Sequence, residues 1–339
     1  MNRRRFLSAI GAGSGALLAG ASTATTAAPG NATPRDSGQP ERPAPKFFPQ
    51  FQTREIKTSG ATVHAVIGGS GPPLLLLHGY PQTHVIWRRI APQLAQNFTV
   101  VAADLRGYGD SSRPPDGENH AGYCKRAMAQ DQVEAMEQLG FRNFAVVGHD
   151  RGGRVAHRMA LDHPNSVERL VVLDIVPTHK LYTSVTREFA TYYFHWFFLI
   201  QDAPLPESLI GNSLEAWLSW SFGGTPPAWM GDAAYREYVR CLRKPGALHA
   251  TCEDYRAAAT IDLEHDAADL HRKIECPLLV LWGSRGAMNP LYDVLETWRE
   301  RAGDVRGKAL EGGHFLPEEA TDALLPELVA FLQPRRHSP

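Results

Sequence analysis

The chain has 339 residues, 43% of them hydrophobic, and a formal charge of −1. That length holds one large α/β domain with room for an insertion. Near-neutral charge, with no basic stretch in the part expected to fold, argues against nucleic acid as the main partner.

The first element is an address. MNRRRFLSAIGAGSGALLAG sets Arg3, Arg4 and Arg5 before Phe6-Leu7 and a weakly apolar, Ala- and Gly-rich run. Residues 1–28 are expected to be a twin-arginine export signal, which makes the export machinery a partner and the location periplasmic or extracellular. Ala19 and Ala21, or the Ala27-Ala28 region, offer cleavage positions. The apolar run is too short and too glycine-rich for a spanning helix. A disordered basic tail is the competing reading. Residues 29–46, rich in Pro, Gly, Asn and Ser, are expected to be a disordered linker.

Beyond the linker, strand-like and helix-like segments alternate. Leu74–Leu77 and Phe98–Ala103 are short apolar runs of the kind buried in a parallel sheet. Between them Trp87, Ile90 and Leu94 recur at helical spacing, as Met128, Ala135, Met136 and Leu139 do before Gly140. Phe144–Val147, Leu170–Leu173 and Leu278–Trp282 are three further strands, and Val155, Ala156, Met159 and Ala160 share one helical face. The pattern predicts a mostly parallel sheet with helices on both faces, over 47–176 and 273–335. Residues 177–272 are helical in tone and dense in aromatics, too long for a crossover, and are expected to form an inserted helical cap.

The chemistry centres on VVGHDRGGR, Val146 to Arg154. Strand, tight turn and helix with flanking glycines present one exposed polar residue at the sheet edge, as in the serine-hydrolase elbow. Here that residue is Asp150. A carboxylate nucleophile attacks saturated carbon and forms an alkyl ester that water must then cleave, which suits alkyl halides or epoxides. His314, in EGGHF after a late strand-like stretch, is the expected base for that second step. The acid that orients it is expected to be Asp174, which follows Leu170–Leu173 one strand over from the elbow, with Asp293 as the alternative. Arg151 and Arg154, three apart at the start of a helix, share a face and suit a substrate carboxylate as a pair of guanidinium forks. Cys124, Cys241, Cys252 and Cys276 show neither CxxC spacing nor pairing with histidine, so no metal is expected, and no nucleotide-binding glycine loop or other cofactor signature occurs.

The motifs HGYPQTH (78–84), DLRGYGDSSRP (104–114), GHDRGGRVAHRMALDHP (148–164), LDIVPT (173–178), FHWFFLIQ (194–201) and GGHFLPEE (312–319) span most of the chain from about residue 48 to 333. Together they resemble the haloacetate (fluoroacetate) dehalogenases of the α/β-hydrolase superfamily. The resemblance implies hydrolytic dehalogenation of short 2-haloacids, such as fluoroacetate or chloroacetate, through an ester on Asp150. It supports Asp174 as the orienting acid and gives Arg151 and Arg154 the substrate carboxylate. It further implies that His195, Trp196 and Tyr255 surround the halogen, and a homodimer is compatible with it. By analogy with the fold, the backbone N–H groups of Tyr80 and Arg151 form the oxyanion hole. The export signal departs from that family. An epoxide hydrolase with the same Asp and His machinery is the nearest alternative, and a non-catalytic receptor for a small acid on a hydrolase scaffold is another.

Overall fold

The computed structural model describes residues 47–333 except Thr225. The expected export signal and linker lie outside the described residues. Among the described residues, eight strands form one sheet: β1 Gln52–Lys57, β2 Thr62–Gly68, β3 Pro73–Leu77, β4 Thr99–Ala103, β5 Phe144–His149, β6 Val167–Leu173, β7 Leu278–Gly283 and β8 Val305–Leu310. Their spatial order is β1-β2-β4-β3-β5-β6-β7-β8. The strand β2 pairs antiparallel with both β1 and β4, and from β4 to β8 every pairing is parallel.

Strands β3 and β5 are apolar because they are covered on both faces: Leu74 to Leu77 and all of Phe144–His149 are buried. The leading pair, β1 and β2, is not foreseen from the sequence. Its edge strand exposes five of six residues, so no apolar run marks it. The helix expected around Trp87, Ile90 and Leu94 divides in two, a 3₁₀ turn over His84–Arg89 and one α-turn over Ala91–Leu94. Pro92 sits in the first turn of the latter, where a missing N–H costs nothing.

Between β6 and β7 the chain leaves the sheet for a run of helices, from Thr178–Thr183 to Ile261–Ala268, in the interval expected to be the cap. Its aromatic content is used in packing: Phe189, Trp196, Tyr238 and Tyr255 are fully buried. The parallel order brings the C-terminal ends of β3, β5, β6 and β8, and the loops that follow them, to one edge of the sheet.

Candidate active site

The turn after β5 places Asp150 at φ 45°, ψ −114°, immediately before the helix Arg151–Asp162. A non-glycine residue at positive φ stores strain that the surroundings must hold. Close backbone approach does this. A Cβ on Gly152 would lie 2.4 Å from the His78 carbonyl, and one on Gly79 would lie 2.5 Å from the Asp150 Cβ. Both positions therefore require glycine. Bringing the loop after β3 that near lets the Tyr80 N–H donate to Asp150 Oδ2 at 3.0 Å, while Oδ1 has no donor among the described residues. The Arg151 N–H opens the helix, where an amide has no acceptor within the helix itself. Burial pushes the Asp150 carboxyl up, but His314, Arg154 and Arg151 together outweigh it and hold the group below its ordinary value.

The base side is built from strand ends. His314 Nδ1 lies 2.6 Å from Asp174 Oδ2, and Asp174 Oδ1 accepts from the Gly283 N–H at 2.8 Å. Asp174 is fully buried and itself adopts a positive φ of 54°. With Nδ1 donating to the carboxylate, Nε2 of His314 is left to accept a proton. Burial lowers the His314 pKa, but the hydrogen bond and charge of Asp174 raise it further, so the net shift is upward. Glu319 fixes the loop from both sides, accepting from Gly313 N and Phe315 N at 2.8 Å each. His149 Nε2 donates to the His314 carbonyl at 2.8 Å, and burial drives its pKa down to about 3, keeping it neutral. The alternative acid, Asp293, stands elsewhere: it caps the helix Val294–Arg299 by accepting from Glu296 N at 3.0 Å.

The arginine side differs from the expected pair of free forks. Arg151 is fully buried, and its fork is taken by Asp254 on the cap helix Ala247–Ala258. Nε donates to Oδ2 at 2.8 Å, while Nη2 donates to Oδ1 at 2.7 Å and to the Asp254 carbonyl at 2.8 Å. Only Nη1 is left over. Arg154 donates through Nη1 to the Val176 carbonyl and to Thr178 Oγ1, both at 3.0 Å. Its Cζ lies 4.5 Å over the Trp196 ring, and that of Arg151 lies 4.1 Å over the Tyr255 ring. Sequence reasoning missed Asp254 although it adjoins Tyr255. The usable signal was the principle that a buried arginine needs a counter-charge.

Next to these cations, His195 Nδ1, Trp196 Nε1 and Tyr255 OH are buried without partners, as are Arg151 Nη1 and Arg154 Nε. The rings of His195 and Trp196 lie 6.0 and 5.9 Å from that of Tyr255, both edge-on. Buried polar groups normally find a partner, and these five fall together in one patch beside Asp150, open to the acceptors of a ligand. Burial pushes the His195 pKa down to about 3 and raises that of Tyr255 well above its ordinary value, so both are neutral donors at neutral pH. A cavity of about 180 Å³ is lined by Asp150, His314, His195, Tyr80, Tyr193 and Phe315, with half-exposed Tyr192 and Trp220 also bordering it. His195 lines it, and Tyr255 packs edge-on against the lining residues Tyr80 and His195, with Trp196 beside it and the two arginines over these rings. The loop after β3 is tied to the cap as well, by a hydrogen bond from Trp217 Nε1 to Tyr80 OH.

Comparison with known proteins agrees with this geometry. Residues 72–321 match the family model described as the alpha/beta hydrolase fold. The chain is 46% identical over 293 residues to the fluoroacetate dehalogenase of a Burkholderia species, covering 86% of this chain and 96% of that protein. It is 35% identical over 285 residues to the soluble epoxide hydrolase of a Corynebacterium species, covering 82% and 96%. A solved structure of an alpha/beta hydrolase from Nostoc sp. PCC 7120 shares 56% identity and superposes with a TM-score of 0.83 over 86% of this chain and 100% of that one. With residues 72–321 matching the family model and the sheet superposing on a solved hydrolase over most of its length, the chain belongs to the alpha/beta hydrolase family and is a hydrolytic enzyme.

Proposed function

We propose that the enzyme cleaves the carbon–halogen bond of short 2-haloacids, fluoroacetate or chloroacetate among them, releasing a 2-hydroxyacid and halide. The observation that carries this reading is the cluster of five partnerless donors beside an ionised Asp150. Two of them belong to cations and suit a carboxylate, and three are neutral N–H or O–H groups that suit a departing halide.

In the first step Asp150 Oδ1 attacks the α-carbon, the carbon–halogen bond breaks, and halide leaves toward His195, Trp196 and Tyr255. In the second, His314 Nε2 takes a proton from water while the water oxygen adds to Cγ of Asp150. The resulting oxyanion, on Oδ2, is held by the Tyr80 and Arg151 N–H groups. Collapse breaks the bond between Cγ and the alkyl oxygen, the hydroxyacid oxygen takes the proton back from His314, and the carboxyl so formed on Asp150 releases water's second proton to solvent. One oxygen of Asp150 now comes from water.

The test is halide release from fluoroacetate and chloroacetate, together with a single turnover in ¹⁸O-water. The label is expected in Asp150 and absent from the first-turnover product. Asp150→Asn is expected to abolish release, barring slow deamidation, and His314→Asn to trap the ester as a mass shift on the elbow peptide. An active Asp150→Ala variant would sink the mechanism.

An epoxide substrate is the second reading, favoured by Tyr192 and Tyr193 at the cavity and by the 35% identical epoxide hydrolase. It gives the arginine donors no role, since an epoxide is neutral. Turnover of an epoxide panel without halide release from haloacids would select it.

A further inference from the structure

The two arginines beside Asp150 are not equivalent, and the reason lies on the cap. Asp254 is fully buried and gathers four donors. Both arms of the Arg151 fork reach it, Tyr108 OH donates to Oδ2 at 2.6 Å, and Lys125 Nζ pairs with Oδ1. Lys125 in turn reaches Asp262 Oδ2 at 3.3 Å. A carboxylate so held stays ionised: its pKa lies far below the ordinary range because the Arg151 and Lys125 charges outweigh the burial that pushes it up. The positive charge of Arg151 is therefore already answered by the protein. Arg154 donates only to neutral oxygens.

Resting on the haloacid reading above, we infer that Asp254 is a positioning residue for substrate recognition. It fixes the Arg151 guanidinium with one donor, Nη1, left for the substrate, and it makes Arg154 the counter-charge of the substrate carboxylate. Recognition is then one oriented hydrogen bond from Arg151 plus one ionic contact from Arg154, in place of two free forks. The geometry excludes a free bidentate Arg151, because a guanidinium presents its parallel pair of N–H bonds through Nε and Nη2, or through both Nη atoms, and Nη2 is committed in either case. The cap contributes to carboxylate binding without touching the carboxylate.

Asp254→Asn keeps the shape but removes the charge and turns one acceptor into a donor that faces Arg151 or Lys125. Truncating one member of a buried hydrogen-bonded ion pair is expected to raise KM for chloroacetate, and the dissociation constant for acetate, by about 30-fold or more. Hydrolysis of the preformed ester, which uses His314 and Asp174, should change much less. A merely structural role would lower the melting temperature and the fraction of active protein but leave KM in place. Tyr108→Phe is the milder companion, removing one hydroxyl donor from Asp254 and keeping every charge. It is expected to shift KM and acetate affinity in the same direction by about threefold, and it decides the matter if Asp254→Asn fails to fold.

Wild-type KM and acetate affinity in the folded variants overturn the inference. Acetate binding measured by calorimetry also separates it from the reading it rests on. If the wild-type enzyme binds acetate but releases no halide, the haloacid reading falls, and the variants' acetate affinity still tests Asp254. A wild type that binds no acetate overturns both.

Discussion

The two sides of the cavity are built on opposite principles. On the base side the groups that orient the imidazole are matched: His314 to Asp174, Asp174 to Gly283, and the Gly313 and Phe315 amides to Glu319. All but Glu319, which ends the short helix Leu316–Glu319, come from strand ends and the loops that follow them. On the anion side, His195, Trp196 and Tyr255 from the cap and Arg151 and Arg154 from the elbow helix each keep a donor unanswered. A base must hold one proton position through the catalytic cycle, so the protein satisfies its geometry in full. A binding site for charge that arrives with the substrate must leave donors open and bear their desolvation until then.

The largest expected effect breaks the base side. Asp174→Asn should cost roughly 10³- to 10⁴-fold in the rate of ester hydrolysis, since the imidazole loses its tautomer and its support. Asp293→Asn should stay close to wild type, because Asp293 only caps a helix. Steady-state halide release with both variants checks the pair, and a dead Asp293→Asn beside an active Asp174→Asn would reverse the assignment.

On the anion side the expected losses are smaller and split into two kinds. Arg154→Met should depress kcat/KM for haloacetate by about 30-fold or more while leaving an epoxide or haloalkane little changed, as the cation serves only an anion. Arg151→Met should in addition unsettle the fold, by about 3 kcal/mol, because it strips a partner from the buried Asp254 carboxylate. Calorimetric melting distinguishes the two variants, and equal melting temperatures would contradict the asymmetry.

The mildest contrast is in pH. As the proposed base, His314 works only when neutral, and Asp174 holds its pKa above the ordinary histidine value. Ester hydrolysis should therefore be full at high pH and fall as the pH drops through that raised pKa. Alkylation of Asp150 should remain flat over the same range, since its carboxyl ionises below the ordinary value. Pre-steady-state rates of the two steps across pH 5 to 9 would show it, and parallel profiles would argue against separate roles.

Much of this arrangement was legible from local chemistry. Glycines at 148, 152 and 153 around a lone Asp150 are a local pattern, and so is a histidine between Gly313 and Phe315 after a strand. The buried strands announced themselves as apolar runs. What escaped was set by distant partners. Asp254 closes on Arg151 across 103 residues, and nothing in CEDYRAA says which cation it meets. The β1–β2 pair escaped for another reason: an exposed edge strand such as Gln52–Lys57 carries no hydrophobic period to read. Trp196 and Tyr255 were placed on the site by resemblance, but that their polar atoms are left partnerless is visible only after folding.

The buried charges that join cap to core also bear on traffic. Tyr108, Lys125 and Arg151 all converge on Asp254, so lifting the helix Ala247–Ala258 would separate several ions in a dry interior. This side of the cap is a rivet, not a hinge. The exposed rings of Tyr192 and Trp220 border the cavity on its solvent side. Side-chain rotation there belongs to picoseconds and nanoseconds, far faster than the microseconds and milliseconds of a domain lid. Entry that needs only these rings to turn predicts a turnover that a viscous solvent slows little.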